Sequence, residues 1–161
     1  MDKVIEITGV NKIFTSQKNQ QIKALEDINL SIKNHEFVCI IGPSGSGKST
    51  LLRLMAGLVP PTSGSVEVMG QSIETPISKA SMVFQQYSLL PWRNVIDNVA
   101  FGLEIRGVSK EERYQVADQI LKKFGLDGFN ESYPYELSGG MKQRVAIARS
   151  IATSPDIIYM D

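Results

Sequence analysis

The sequence predicts an α/β fold carrying an N-terminal antiparallel β-subdomain, and three patterns support that expectation. Near the N-terminus, Ile5 and Ile7, then Ile28, Leu30 and Ile32, alternate with polar neighbours. Such alternation suits an antiparallel sheet with one wet face. Phe37 to Ile41, FVCII, is apolar without a break, which predicts a strand covered on both faces. Beyond it the apolar residues switch to helical spacing, and short strand-like runs recur between the helices.

The elements follow in order. TSQKNQQ is a polar loop between the first two strands. His35, the only histidine, lies in KNHEF and reads as a turn, and Cys39 reads as a small buried apolar residue. After a glycine-rich turn, KSTLLRLMAGL places Leu51, Leu52, Leu54 and Met55 on one helical face, with Gly57 positioned to end it. PPTSGS is a turn, VEVM before Gly70 a short strand, and Ser81 to Phe84 another. Asn94 to Arg106 and Met141 to Thr153 read as helices. Ser109 to Phe124 is the best-defined helix: Ser109 and Glu112 form a capping box, Val116, Ile120, Leu121 and Phe124 form the stripe, and Gly125 is the stop. Ile157 to Met160 reads as a buried strand that runs straight into Asp161.

Composition narrows the class. The chain has 161 residues, with 17 Lys plus Arg against 17 Asp plus Glu, so no basic excess points to nucleic acid. One cysteine excludes an internal disulfide and fits a reducing compartment. MDKVIEITGV lacks the basic and apolar regions of a signal peptide. No stretch approaches the roughly twenty apolar residues of a membrane span. A cytosolic setting is expected, and the triplets at Asn29 and Asn130 that resemble glycosylation sites are read as chance matches.

Gly42-Pro43-Ser44-Gly45-Ser46-Gly47-Lys48-Ser49-Thr50 fills G-x-x-x-x-G-K-[ST] between an expected strand and an expected helix. Polyphosphate oxygens need many donors, and a backbone without β-carbons can curl its N–H groups around them. The helix start adds unpaired N–H groups and partial positive charge. Lys48 supplies a point charge for the outer phosphates, and the Ser49 hydroxyl suits a magnesium ion bridging them. A dinucleotide fingerprint beginning at Gly45 would need glycine where Thr50 stands. Downstream, Leu137-Ser138-Gly139-Gly140-Met141 directly precedes KQRVAIARSIA. A hydroxyl and two bare glycine N–H groups at a helix start make a second anion site, although Ser138 alone could equally be a helix cap.

With these two motifs in order, and an apolar run ending in Asp161 after them, the chain resembles the nucleotide-binding subunit of an ATP-binding cassette (ABC) transporter. It is most similar to importers of the nitrate, sulfonate and taurine group. The narrower likeness rests on FQQYSLLPWRNVIDNVAFGLEIRG and on LSGGM, where most of the superfamily has LSGGQ. The resemblance implies a P-loop NTPase with a β-subdomain and phosphate-binding core over residues 1–85, a helical subdomain over 86–140 and a return to the core over 141–161. The chain would then be truncated at Walker B.

The resemblance also assigns roles. Phe14 in NKIF matches an aromatic residue that stacks on adenine, although it could instead be a core side chain. Gln85 matches the glutamine that touches magnesium and water and senses the membrane partner. Ser138, Gly139 and Gly140 would cap the γ-phosphate held by a second nucleotide-binding subunit in a head-to-tail dimer. Ser88 to Trp92, SLLPW, is either a satellite core cluster or, beside Gln85, a docking surface for transmembrane permease subunits. Asp161 matches the Walker B aspartate, which with Ser49 and Gln85 would serve magnesium. The implied ligands are ATP and Mg2+, and the implied place is the inner face of the cell membrane, with a periplasmic or lipid-anchored solute-binding protein as an indirect partner.

The family's general-base glutamate would follow Asp161 and is absent from the chain. Hydrolysis by these residues alone is therefore expected to be nearly absent, because general-base catalysis typically contributes about a hundred- to ten-thousand-fold. Poor solubility and a frayed C-terminus with a mobile Asp161 are expected as well. A nucleotide-binding module without turnover, and an ABC ATPase of another transport class, stand as the alternatives.

Overall fold

The computed structural model describes residues 3–161, which divide into two compact units: the chain up to Ile77 together with Asp161, and Ser78 to Met160. In the first unit, β1 (Lys3–Thr15) and β2 (Gln21–Lys33) form a long antiparallel hairpin. The expected polar loop is its turn, and Asn19 there takes a positive φ of 56°. The alternation expected from the sequence is present: Ile5, Ile7 and Val10 of β1 are buried, and Ile7 lies opposite Leu30. β3 (Ser63–Val68) pairs with the other edge of β1, Ile5 opposite Val68 and Ile7 opposite Val66. The two-residue β4 (Gln71–Ser72) closes the order β2-β1-β3-β4. α1 (Lys48–Met55) buries Leu51, Leu54 and Met55 of the four residues its spacing predicts, while Leu52 is only half-buried.

His35 does sit in a turn, with φ at 62°. That left-handed conformation is uncommon for a residue with a β-carbon. The segment beyond it overturns an expectation. Phe37 to Ile41 belongs to neither sheet, Phe37 is 95% exposed and Ile41 89%, and Cys39 is exposed rather than buried. An apolar run becomes a strand buried on both faces only when neighbours supply ladder bonds on both edges and cover above and below. The described residues supply no ladder partner to this run.

In the second unit, β5 (Ala80–Val83) and β6 (Ile157–Met160) form a parallel pair, Ala80 opposite Ile157 through Val83 opposite Met160. β6 is only half buried: Tyr159 is 3% exposed, but Ile158 and Met160 are 37% and 56%. The expectation of a buried strand is met only in part: among the described residues β6 has a ladder neighbour on one edge alone.

Helices α2 (Val95–Ile105), α3 (Lys110–Lys123) and α4 (Gly139–Ala152) pack into the unit's main core. Val95, Val99, Ala100, Ala117, Leu121, Val145 and Ala148 are fully buried there. Each helix start is capped by the side chain just before it: Asn94 accepts from the Asp97 N–H, Ser109 from the Glu112 N–H, and Ser138 from the Met141 N–H. Such caps each stabilise by about 1 kcal/mol. Truncating a fully buried side chain such as Leu121 to alanine costs about 2–5 kcal/mol, since the cavity only partly collapses.

A polar network ties α3 to α2. The Tyr114 hydroxyl donates to the Asp97 carboxylate and Arg113 Nη2 lies 3.7 Å from Glu104 Oε2, while Arg93, just ahead of α2, forms a bidentate pair with Glu104 at 2.7 and 3.1 Å. The carboxylate acceptor, with desolvation adding to it, pushes the Tyr114 phenol up to about 12. A phenol whose folded pKa is raised stabilises the fold fully below its unfolded value near 10, and that contribution is lost as pH rises through about 12. The difference in phenolate absorbance between the native chain and Tyr114→Phe is therefore expected to develop near pH 12. Development near pH 10 would show that Asp97 does not hold this proton.

Candidate functional site

The glycine-rich turn expected to bind phosphate lies on the surface of the first unit and feeds directly into α1. Gly47 occupies the position before the helix, with φ at 90°, and no side chain caps the N–H groups behind it. Uncapped N–H groups at a helix start are available to an anion. Gly47 is also a close approach. A β-carbon there would stand 2.5 Å from the Ala24 carbonyl oxygen and 2.8 Å from Leu25 Cδ2. β2 thus packs against the turn, and only a bare backbone fits between.

Lys48 turns back over the loop, its ammonium donating to the Gly42 carbonyl at 2.9 Å and the Pro43 carbonyl at 2.7 Å. Ser46 N–H donates to the Pro43 carbonyl at 3.3 Å, which closes the turn. The ammonium is thereby held over the bend, bonded only to neutral acceptors. Such acceptors are weaker partners for a cation than phosphate oxygens, so the site favours an anion that can replace them.

Ser49 and Asp161 come together. The Ser49 hydroxyl donates to Asp161 Oδ1 at 2.5 Å, across a separation of 112 positions, and Arg53 Nη2 lies 4.0 Å from Oδ2. The Asp161 side chain is 10% exposed. The expected mobile Asp161 is replaced by one fixed to the residue after Lys48, because a carboxylate this buried needs a donor and a nearby cation. A hydroxyl and a carboxylate are both hard oxygen donors, and one or two such ligands beside phosphate is the set magnesium uses. The residues fit that ion. Among the described residues no group of three or more His, Cys, Asp or Glu gathers as a metal cluster.

Phe14 stands on β1 with 41% of its surface exposed, and Lys12 Nζ lies 5.0 Å from its ring centroid while donating to the Pro60 carbonyl. The alternative of a core phenylalanine is thus not what the fold shows. Lys12, a cation beside that ring, was not singled out from the sequence. The alternation placing residues 12 and 14 on one face of a strand was the available signal.

In the second unit, Gln85 is exposed just after β5. Leu137 is buried, whereas Ser138, Gly139 and Gly140 at the start of α4 are exposed. A β-carbon on Gly139 would come 3.2 Å from the Tyr87 hydroxyl. The SLLPW segment divides: Leu89 packs on the helical core, while Trp92 is 72% exposed. Asn98 and Arg149, which hold this segment, were missed from sequence. The visible trace of Asn98 was a polar residue on the apolar face of α2.

The architecture is that of an ATP-binding cassette. A solved dimeric structure of the cassette MJ0796, in a post-hydrolysis state bound to ADP and Pi, matches 98% of this chain and 73% of its own, with a TM-score of 0.89 at 38% identity. A family model described as ABC transporter matches residues 25–161, and the chain belongs to that family. An uncharacterized ABC transporter ATP-binding protein of Methanocaldococcus jannaschii is 49% identical over 98% of this chain and 58% of its own length. The nitrate import ATP-binding protein NrtD of Synechocystis is 53% identical over 98% of this chain and 59% of its own. The taurine import ATP-binding protein TauB of Escherichia coli K12 is 51% identical over 86% and 54%. The chain thus spans little more than half the length of these relatives.

Gly45 and Gly47 both carry positive φ, at 81° and 90°, but a β-carbon on Gly45 meets nothing within 4 Å. Gly47→Ala is expected to cost about 2 kcal/mol or more through crowding and strain together, and Gly45→Ala the strain alone. Urea unfolding midpoints of the two variants check this, and equal losses would contradict the close approach at Gly47.

Proposed function

We propose that this protein is the ATP-binding subunit of an ABC importer, hydrolysing ATP to drive uptake of a small solute of the nitrate, sulfonate or taurine kind. The observation that carries the reading is the glycine turn of residues 42–47 on the uncapped start of α1, with Ser49 and Asp161 joined beside it. The solute class is supported by similarity to a nitrate and a taurine import protein.

In this reading the N–H groups of Gly42, Ser44, Gly45, Ser46 and Gly47 and of the first turn of α1 through Thr50, with Pro43 shaping the bend, receive the phosphates of ATP. Lys48 exchanges its two carbonyl acceptors for phosphate oxygens, gaining charge-assisted bonds. Phe14 offers its exposed face to adenine. Ser49, Asp161 and Gln85 would hold Mg2+, which when bound neutralises charge on the phosphate oxygens. Arg53, 4.0 Å from Asp161 Oδ2, helps to orient that carboxylate. Gln85 also orients water at the phosphate end. Ser138, Gly139 and Gly140 serve the nucleotide of a second copy, packed head to tail. The division into a core at 1–85, a helical part at 86–140 and a return at 141–161 belongs to the same proposal.

The permease subunits dock at Gln85 to Trp92, with Trp92 as the exposed apolar contact, and this sets the protein on the inner face of the cell membrane. No helix of the described residues is long and apolar enough to cross a membrane. A solute-binding protein, periplasmic or lipid-anchored, takes part indirectly through the permease.

Lys48→Ala removes a charge-assisted contact of about 1.5–3 kcal/mol, so ATP affinity is expected to fall roughly ten- to a hundredfold. Titration with a fluorescent ATP analogue measures it, and unchanged affinity would refute the phosphate site. For docking, Leu90→Asp or Trp92→Asp in the protein co-expressed with its permease is expected to abolish co-purification while circular dichroism stays native. Loss of the native spectrum in both variants would assign the loop to the core instead.

A further inference from the structure

The segment between β5 and α2 contains no regular secondary structure, yet its backbone carbonyls are held by side chains from two helices. From α2, Asn98 is fully buried among Val95, Val99 and their neighbours. Its Oδ1 accepts from the Leu90 N–H at 2.8 Å. Its Nδ2 donates to the carbonyls of Leu90 at 3.1 Å, Arg93 at 2.9 Å and Asn94 at 2.9 Å. A buried amide is costly unless its donors and acceptor are all used, and here they are.

From α4, Arg149 donates to the Ser88 carbonyl at 2.7 Å and the Tyr87 carbonyl at 3.2 Å. It forms no ion pair among the described residues, and burial pulls its guanidinium down from the ordinary arginine value. A desolvated cation spent on two neutral carbonyls is an expensive device for holding a loop. Ser88 takes φ 49°, a conformation uncommon for a residue with a β-carbon. The Arg93 side chain is in turn bound to Glu104 and lies 4.9 Å from the Phe101 ring centroid. Between these fixed points Trp92 projects with 72% of its surface exposed.

An aromatic side chain on a fixed backbone is what a binding hot spot requires, because a mobile loop would lose its freedom on docking and weaken the association. We propose that Asn98 and Arg149 are positioning residues that fix residues 87–94 before any partner arrives, so that Trp92 is presented as a preformed anchor to an apolar pocket of a membrane-embedded permease subunit. The occupant rests on the docking reading above. The preformed conformation does not, and the two are tested separately.

Trp92 is the only tryptophan, so its fluorescence reads this loop alone. In the protein without partner, time-resolved anisotropy is expected to show Trp92 without a fast local motion of its own. The Leu90 amide, whose hydrogen bond is to Asn98, is expected to exchange at least about tenfold more slowly than in an unstructured peptide. Asn98→Ala, and separately Arg149→Met, are expected to add a fast local motion to the Trp92 decay and to weaken permease capture about tenfold or more. A Leu90 amide exchanging at the unstructured rate overturns the proposal in the unaltered protein, even if Asn98→Ala fails to fold. Folded variants with unchanged Trp92 anisotropy also overturn it, as do variants with a mobile Trp92 and undiminished capture. Undiminished capture by Trp92→Asp would refute the docking reading instead, leaving the anisotropy and exchange results as the measure of the loop.

Discussion

The hydrogen bond from Ser49 to Asp161 is the contact on which the candidate site depends. It joins the second residue of α1 to the residue after β6, 112 positions apart. Neither group alone distinguishes a nucleotide site from a helix start or a strand end. Together they place two hard oxygen donors next to the lysine and glycines of residues 42–48, with Arg53 4.0 Å from the second carboxylate oxygen. The buried carboxylate is tolerable because a donor and a cation offset its desolvation.

The turn itself obeys a second constraint, the close approach of β2. The Ala24 carbonyl leaves no space for a β-carbon at Gly47, so the residue that permits the left-handed turn is also the one that lets the sheet support it. Lys48, bonded to the Gly42 and Pro43 carbonyls, braces the same bend from its other side. Sheet, turn and helix start therefore set one another's geometry.

In the second unit the helical core performs a comparable service for a loop. Val95, Val99, Leu121 and Val145 are fully buried by ordinary apolar packing, and the one polar side chain buried to the same degree, Asn98, spends its hydrogen bonds on loop backbone. Burial makes those bonds hard for water to replace. A core of this kind stabilises its helices and also dictates the path of a segment with no ladder or helix of its own.

The sequence by itself determined what local chemistry can encode. Alternation at Ile5 and Ile7 specified a sheet with one wet face; the spacing of Leu51, Leu52, Leu54 and Met55 specified a helix, of which all but Leu52 face inward; Ser109 with Glu112 marked a helix start; and the glycines of residues 42–47 marked a turn leading into a helix. Each depends on residues a few positions apart, and the structure bears the elements out to within a residue or two. What only the tertiary structure decided were properties that need a distant partner. Phe37 to Ile41 has strand composition but no ladder neighbour, so it stays exposed, with Cys39. Ile157 to Met160 has one neighbour and is half buried. Asp161 is held rather than frayed because Ser49 reaches it, and Leu89 and Trp92 part ways because Asn98 and Arg149 fix the backbone between β5 and α2. Hydrophobicity states that a residue gains by leaving water; which surface receives it depends on neighbours that the local sequence does not contain.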